Sequence, residues 1–477
     1  MTNEVLTQTD ERTELARIVR VIEPSPSTDT AVDALVNQAL AAHRQIEGWS
    51  EARIDALLHA LGRVVADHAS PLAVAAVAET GMGNVRDKTL KNSIASTGVS
   101  AQLAGHIGHG QIAFDRERQI AEIANPVGVV VGLVPATHPV ATFIFKVLIA
   151  IKGRNAIILS PSRRAQQVSH QVGVLIQQVL RDVGAPTGLV QWLGADSSRA
   201  TTTALMSHSQ VGMVLATGGH AMVQAAYRSG TPAIGVGPGN APVLISADAD
   251  LRHAARSIVL SKSFDNGLIC GAENHLVVEA SARGRLIAEL IQQGAAVLTR
   301  DESARFRDAA VNPQTLRLLP SIFGKDAATL ARLANIERPH DIQLLVIPTE
   351  IVSTRNYLAA EKLAPVVSLF TVADVDEGMR VCRALLDVDG AGHTAIIHSR
   401  SSHLIERFAT IPVSRILINS PATQGLLGLT TGLVPSLTLG CGTWGGTSTT
   451  NSVTYRDLLN ITRVAYDISD HGVRSPS

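Results

Sequence analysis

Cys270 stands in the run Lys262-Ser263-Phe264-Asp265-Asn266-Gly267-Leu268-Ile269-Cys270-Gly271-Ala272-Glu273. A thiolate attacks a carbonyl carbon readily near neutral pH, provided the substrate can reach it. Asn266, Gly267 and Gly271 are small or polar, so they leave the sulfur approachable and leave backbone N–H groups to meet an oxyanion. A lone cysteine is more often a small buried apolar residue, and Cys382, in the helical run Met379 to Leu386, reads that way. Cys441, between Gly440 and Gly442, marks a tight turn or lines the same pocket. The three cysteines are far apart and form no C-x-x-C pair, so neither a disulfide framework nor a metal site is expected, and the pattern suits a reducing cytosol.

Two glycine clusters are the next candidates. Leu215-Ala216-Thr217-Gly218-Gly219-His220 follows a strand-like run and opens a helix, where backbone N–H groups can face a pyrophosphate. Its spacing is not G-x-G-x-x-G, and a plain strand-to-helix turn explains it equally well. Gly235-Val236-Gly237-Pro238-Gly239-Asn240-Ala241-Pro242 fixes a non-repetitive backbone close to a ligand or to another segment.

The elements that must position these groups follow from periodicity. Ala31 to His43, Ala52 to His68 and Leu72 to Glu79 carry apolar residues at helical spacing and are expected to coat a sheet. A hairpin is expected at Ile112 to Ile123. Beyond it, short Val/Ile/Leu runs alternate with helix-length segments: Val127 to Leu133, Ala156 to Leu159, Leu189 to Leu193, Val211 to Leu215 and Pro242 to Ile245. A second cycle follows Leu251, with His275 to Val278, Gln343 to Ile347, Val366 to Phe370, Thr394 to Ile397 and Arg415 to Ile418. Such alternation is the pattern of parallel α/β sheets, and two such domains are expected. The stretch from 295 to 342 shows no clear pattern.

Lys plus Arg and Asp plus Glu both total 41, so no charge excess draws the chain to nucleic acid or an anionic membrane. The polar start lacks a secretory signal. Residues 126–145 carry no formal charge and are long enough for a bilayer span. Pro135 and Pro139 bracket Thr137 and His138, however, and divide the stretch into strand, turn and helix start.

Taken in order, the motifs carry a family likeness. They are Asn125-Pro126-Val127-Gly128, Pro135-Ala136-Thr137-His138-Pro139, Arg154-Asn155-Ala156, Ala216 to Gly219, Gly235 to Asn240, Phe264 to Cys270, Glu361-Lys362-Leu363, Gly392-His393-Thr394 and Pro435 to Gly442. From about residue 31 to 465 the chain resembles the coenzyme-A-acylating branch of the aldehyde dehydrogenase superfamily. It is most similar there to the aldehyde half of bifunctional aldehyde–alcohol dehydrogenases and to ethanolamine and propanediol utilisation enzymes.

The resemblance implies two Rossmann-like α/β domains with a small oligomerisation hairpin. Residues 31–250 would form the nicotinamide domain, with its arm at about 108–124; residues 251–446 the catalytic domain; and 447–477 a segment returning to the cofactor domain or a subunit interface. Cys270 would add to the aldehyde and, after hydride transfer to the nicotinamide, hold the acyl group as a thioester. The oxyanion donors would be the Cys270 N–H and a side chain on the turn where relatives commonly carry asparagine, here Thr137 or His138. Hydrolytic relatives carry a base glutamate near Gly235 to Pro242, but Ser229 to Ala247 contains no carboxylate, which points to a thiol acceptor. His393 would help deprotonate coenzyme A, and Glu361 would accept hydrogen bonds from the nicotinamide ribose.

Ser160, Pro161, Thr217, Gly218, Gly219 and Gly237 would line the cofactor site. NAD is the expected cofactor, while Arg163 and Arg164 would admit the 2′-phosphate of NADP. The expected substrates are a short-chain aldehyde and coenzyme A, with sulfoacetaldehyde dehydrogenase (acylating) as the alternative; a non-catalytic microcompartment cargo or scaffold protein is the reading from another class. Since the sequence stops at Ser477, no metal-dependent alcohol dehydrogenase domain is expected. Leu15, Ile18, Val19 and Ile22 form a stripe ahead of a Pro/Ser linker, fitting either a microcompartment tag or a helix that docks locally. A homodimer or homotetramer is expected, in the cytoplasm or inside a bacterial microcompartment.

Overall fold

The computed structural model describes residues 30–468, and the amphipathic stripe at 15–22 lies outside them. Helices Thr30–Ile46, Glu51–Asp67 and Ala69–Thr80 form where the 3.6-residue periodicity places them. Ser50 caps the second by accepting from the Arg53 N–H. Their apolar faces join one core with a five-stranded parallel sheet, ordered Val190–Trp192, Ala156–Pro161, Val129–Val134, Met213–Thr217, Ala233–Val236.

The uncharged stretch at 126–145 is resolved by this core. Val129–Val134 is the middle strand, buried throughout. Pro139 then starts helix Pro139–Lys152, all 14 residues of which are buried. A helix apolar on every side needs protein around it, and here the sheet and the N-terminal helices supply it. Its Lys146 donates to the carbonyls of Leu133 (2.6 Å) and Leu215 (2.7 Å), which satisfies the buried amine's hydrogen bonds, while burial holds it well below the usual lysine range. Among the described residues, no helix is long and apolar enough to cross a membrane.

The second sheet has seven parallel strands: Ala295–Val297, Leu344–Pro348, Val366–Val372, His275–Glu279, Pro242–Ile245, Gly392–His398 and Val413–Ile418. One expectation needs correcting. Pro242–Ile245 was counted with the first cycle, but it pairs with His275–Glu279 and Gly392–His398 in the second sheet. The passage between sheets therefore falls at 237–241 rather than at 250. An apolar parallel strand reads the same in either sheet, so periodicity alone does not place the crossing. The region from 295 to 342 supplies an edge strand and helices Arg300–Ala310 and Ala327–Leu333.

A three-stranded antiparallel sheet stands beside these. Gly110–Asp115 and Ile120–Pro126 form the expected hairpin, and Leu459–Ala465 returns from the C-terminal side to pair with the second strand.

Candidate active site

The Cys270 loop follows helix Leu251–Ser263 and is bent by three consecutive left-handed residues, Asp265 (φ 46°), Asn266 (φ 55°) and Gly267 (φ 71°). Such backbone persists only where its surroundings hold it. At Gly267 a Cβ would stand 2.5 Å from the Ala364 carbonyl, so glycine is required on steric grounds as well. Asp265 is buried and accepts from Lys88 Nζ (3.1 Å), Lys91 Nζ and the Asn84 N–H (3.1 Å). Both lysines belong to helix Val85–Ser93, capped by Asn84, so a distant helix pins the loop from below.

The same helix holds the Pro135–Pro139 turn. Lys88 Nζ donates to the Thr137 carbonyl at 3.0 Å, and Lys91 Nζ lies 2.6 Å from His138 Nδ1. An ammonium only donates, so Nδ1 is the accepting nitrogen and the ring proton sits on Nε2. Desolvation, reinforced by Lys91 and Lys88, holds His138 far below the usual imidazole range, so it is neutral. Desolvation likewise lowers Lys91 to about 8, against the pull of Asp265.

Across the sulfur, His393 Nε2 lies 3.2 Å from Cys270 Sγ, and its Nδ1 meets Thr394 Oγ1 at 2.9 Å. Burial pushes the thiol up to about 12, with Glu361 and Cys441 adding to the effect and Arg415 opposing it. Burial, with Arg415, pulls His393 down to about 3. The resting pair is therefore a neutral thiol beside a neutral imidazole.

The Gly235–Pro242 cluster packs directly on this loop. A Cβ on Gly239 would stand 1.7 Å from the Cys270 carbonyl oxygen, so only glycine permits the approach. The Gly239 N–H donates to Glu361 Oε1 at 3.2 Å. Desolvation, then Asp389, raises Glu361 to about 8. Lys362, next in the chain, anchors its loop by donating to the carbonyls of Leu358, Ala360 and Asn274.

The cofactor residues separate into groups. Ser160, Pro161 and Gly219 line a cavity of about 660 Å³ beyond the carboxyl ends of the first sheet, where strand order reverses. Ser160 Oγ lies 3.0 Å from Thr202 Oγ1 there. Gly218 packs beside Met222, which also lines the cavity, while Thr217 bonds Thr438 (3.1 Å) and ties the first sheet to the 435–442 segment. Gly237 is not in the cavity; its backbone lies at the Cys441 thiol. Arg163 lines the cavity and Arg164 does not, whereas Arg199, unexpected from sequence, does.

Lys88, Lys91, Asp265 and Arg415 were also missed. Lys88 and Lys91 sit 177 and 174 positions from Asp265, beyond any local pattern. Arg415 did carry a signal, a charge inside the apolar strand Val413–Ile418.

A two-sheet α/β fold thus carries a cavity of nucleotide size on one sheet and a cysteine–histidine pair on the other. The chain belongs to the aldehyde dehydrogenase family, whose model matches residues 19–436. It is 36% identical over 440 residues, 91% of its length, to the bifunctional aldehyde-alcohol dehydrogenase AdhE of Escherichia coli, and covers 49% of that protein. It thus spans about half the length of the bifunctional relatives it matches. With the sulfoacetaldehyde dehydrogenase (acylating) of Cupriavidus necator it shares 36% identity over 458 residues, covering 94% of this chain and 92% of that one. Its fold superposes on an acetylating aldehyde dehydrogenase from Geobacillus thermoglucosidasius with TM-score 0.89 at 38% identity, covering 92% of this chain and 97% of that one.

Proposed function

We propose that this chain is a coenzyme-A-acylating aldehyde dehydrogenase, converting a short-chain aldehyde, coenzyme A and NAD(P)+ to acyl-CoA and NAD(P)H. The observation that carries the reading is Cys270 Sγ against His393 Nε2 with no ionised carboxylate base beside them. The carboxyl group whose charge acts on the thiol is Glu361, and at about 8 it is mostly protonated near neutral pH. Water thus lacks a carboxylate base, and a thiol acceptor resolves the thioester.

In this reading the Cys270 sulfur adds to the aldehyde carbon, and the oxyanion meets the Cys270 N–H and the Thr137 hydroxyl. His138 is the less suited donor, because its ring is held at Nδ1 by Lys91 and lies against the Leu268 carbonyl. His393 accepts the proton of the incoming thiol. The residues at Ser160, Pro161, Thr202 and Gly219 hold the adenosine end of the nucleotide, and Glu361 its nicotinamide ribose. When bound, the nicotinamide accepts hydride. The cavity lining includes Arg163 and Arg199 and no carboxylate, so NADP is taken as well as NAD.

The sulfoacetaldehyde relative, matched over 94% of this chain, favours a second substrate reading with an anionic tail. The three-stranded arm, with Gly110–Asp115 and Leu459–Ala465 at its edges, is proposed to join protomers into a dimer or tetramer. Packaging in a microcompartment through the N-terminal stripe is part of the same proposal.

Reduced-cofactor absorbance tests the reading. With NAD and propionaldehyde or sulfoacetaldehyde, a burst of one turnover without coenzyme A and steady turnover with it are expected, and Cys270→Ser abolishes both. Steady turnover without coenzyme A would show hydrolysis instead. No burst with any aldehyde would leave a scaffold role.

A further inference from the structure

A buried guanidinium beneath the site has no carboxylate partner among the described residues. Arg415 lies on strand Val413–Ile418, in register with Thr394 of the neighbouring strand, next to His393. Its Nη2 donates to the His393 carbonyl (3.0 Å) and the Gly440 carbonyl (2.5 Å), and its Nη1 to the Thr450 carbonyl (3.2 Å). Its Nε is buried without a hydrogen-bond partner. It is 5% exposed, and among the described residues it forms no ion pair.

Burying a cation without a counter-charge is unfavourable, and three neutral carbonyls neutralise none of it. The ionisable groups that act on Arg415 are Cys441 and Cys270. Cys441 is buried, its N–H donating to Thr447 Oγ1 at 3.0 Å. Cys270, on the approachable loop, is the thiol that must ionise.

We propose that Arg415 is the positioning cation of the site: it orients His393 through its carbonyl, locks the Gly440–Cys441 segment, and supplies the positive charge that stabilises the Cys270 thiolate. The groups that face the sulfur are then complete in sign. Glu361 and Cys441 oppose ionisation once they are themselves charged, Arg415 favours it, and neutral His393 stands at hydrogen-bond distance. The inference rests on Cys270 being the nucleophile and is independent of which acceptor resolves the thioester.

Iodoacetamide alkylation, mapped to Cys270 by mass spectrometry and followed against pH without aldehyde or coenzyme A, tests it. Arg415→Met should slow alkylation about tenfold at fixed pH and displace the profile about one unit higher, since one pH unit is a tenfold change in thiolate. Arg415→Lys keeps the charge and should fall between wild type and Arg415→Met; if Arg415→Met does not fold, Arg415→Gln takes its place. An unchanged profile, or a lysine variant as slow as the neutral one, would overturn the proposal. Because the assay reads the thiol alone, a failure of the acylating reading would not mask this result.

Discussion

Burial sets both members of the Cys270–His393 pair against ionisation at rest, with the thiol pushed up to about 12 and the imidazole pulled down to about 3. A group whose ordinary value is near 9 and whose site value is about 12 exposes little thiolate at neutrality, and that fraction grows tenfold per pH unit. Alkylation of the resting enzyme should therefore climb steadily from about pH 7 to about pH 10 without a plateau. A plateau near neutrality would mean that the thiol is already ionised. Held at about 3, His393 is neutral near pH 7, so acid inactivation is not expected from it until far below neutrality. His393→Gln should cut steady turnover about a hundredfold, the usual scale for losing a positioned proton acceptor. Its burst without coenzyme A should be less affected if, as proposed, His393 receives the incoming thiol's proton. Equal losses in burst and steady state would assign it to the first step instead.

At the scale of elements, one short helix carries much of the site. Val85–Ser93 braces the Cys270 loop through Asp265 and the Pro135–Pro139 turn through Thr137 and His138. Asp265→Asn would leave Lys88 and Lys91 buried without that counter-charge, at a cost of about 3–5 kcal/mol. A lowered melting temperature with weakened Cys270 alkylation should result, and wild-type stability would show that the lysines are balanced elsewhere. Gly239→Ala should instead leave the fold intact and displace the loop. Its Cβ meets backbone that no rotamer can move aside, and a shift of about 1 Å costs on the order of a hundredfold in turnover. Turnover near wild type in that variant would mean the turn yields without moving Cys270. Cys270, the glycine clusters and most strands were legible because their signals are local: residue type, spacing and periodicity. The brace was not, because Asp265 and its lysines are polar residues whose burial is decided by helix packing.

At the scale of the molecule, the cavity proposed for the nucleotide belongs to the first sheet and the thiol to the second, and the Thr217–Thr438 bond and the Gly239 approach join them. The plan of two parallel sheets was readable from alternating apolar runs. Where one sheet yields to the other was not, since Pro242–Ile245 is equally apolar in either setting. Nor did sequence unite Arg163 with Arg199, which come from the segments after two different strands and face one cavity. That convergence bears on cofactor choice, and unfolding of the whole chain can read it. A nucleotide present at about 100 times its Kd stabilises the native state by about 2.7 kcal/mol. NAD and NADP should each raise the melting temperature of the wild type. In Arg163→Ala/Arg199→Ala the rise with NADP should shrink while that with NAD persists, because only a 2′-phosphate requires the guanidinium pair. If both rises survive, the arginines are solvated bystanders; if both vanish, they serve the part of the nucleotide that the two cofactors share.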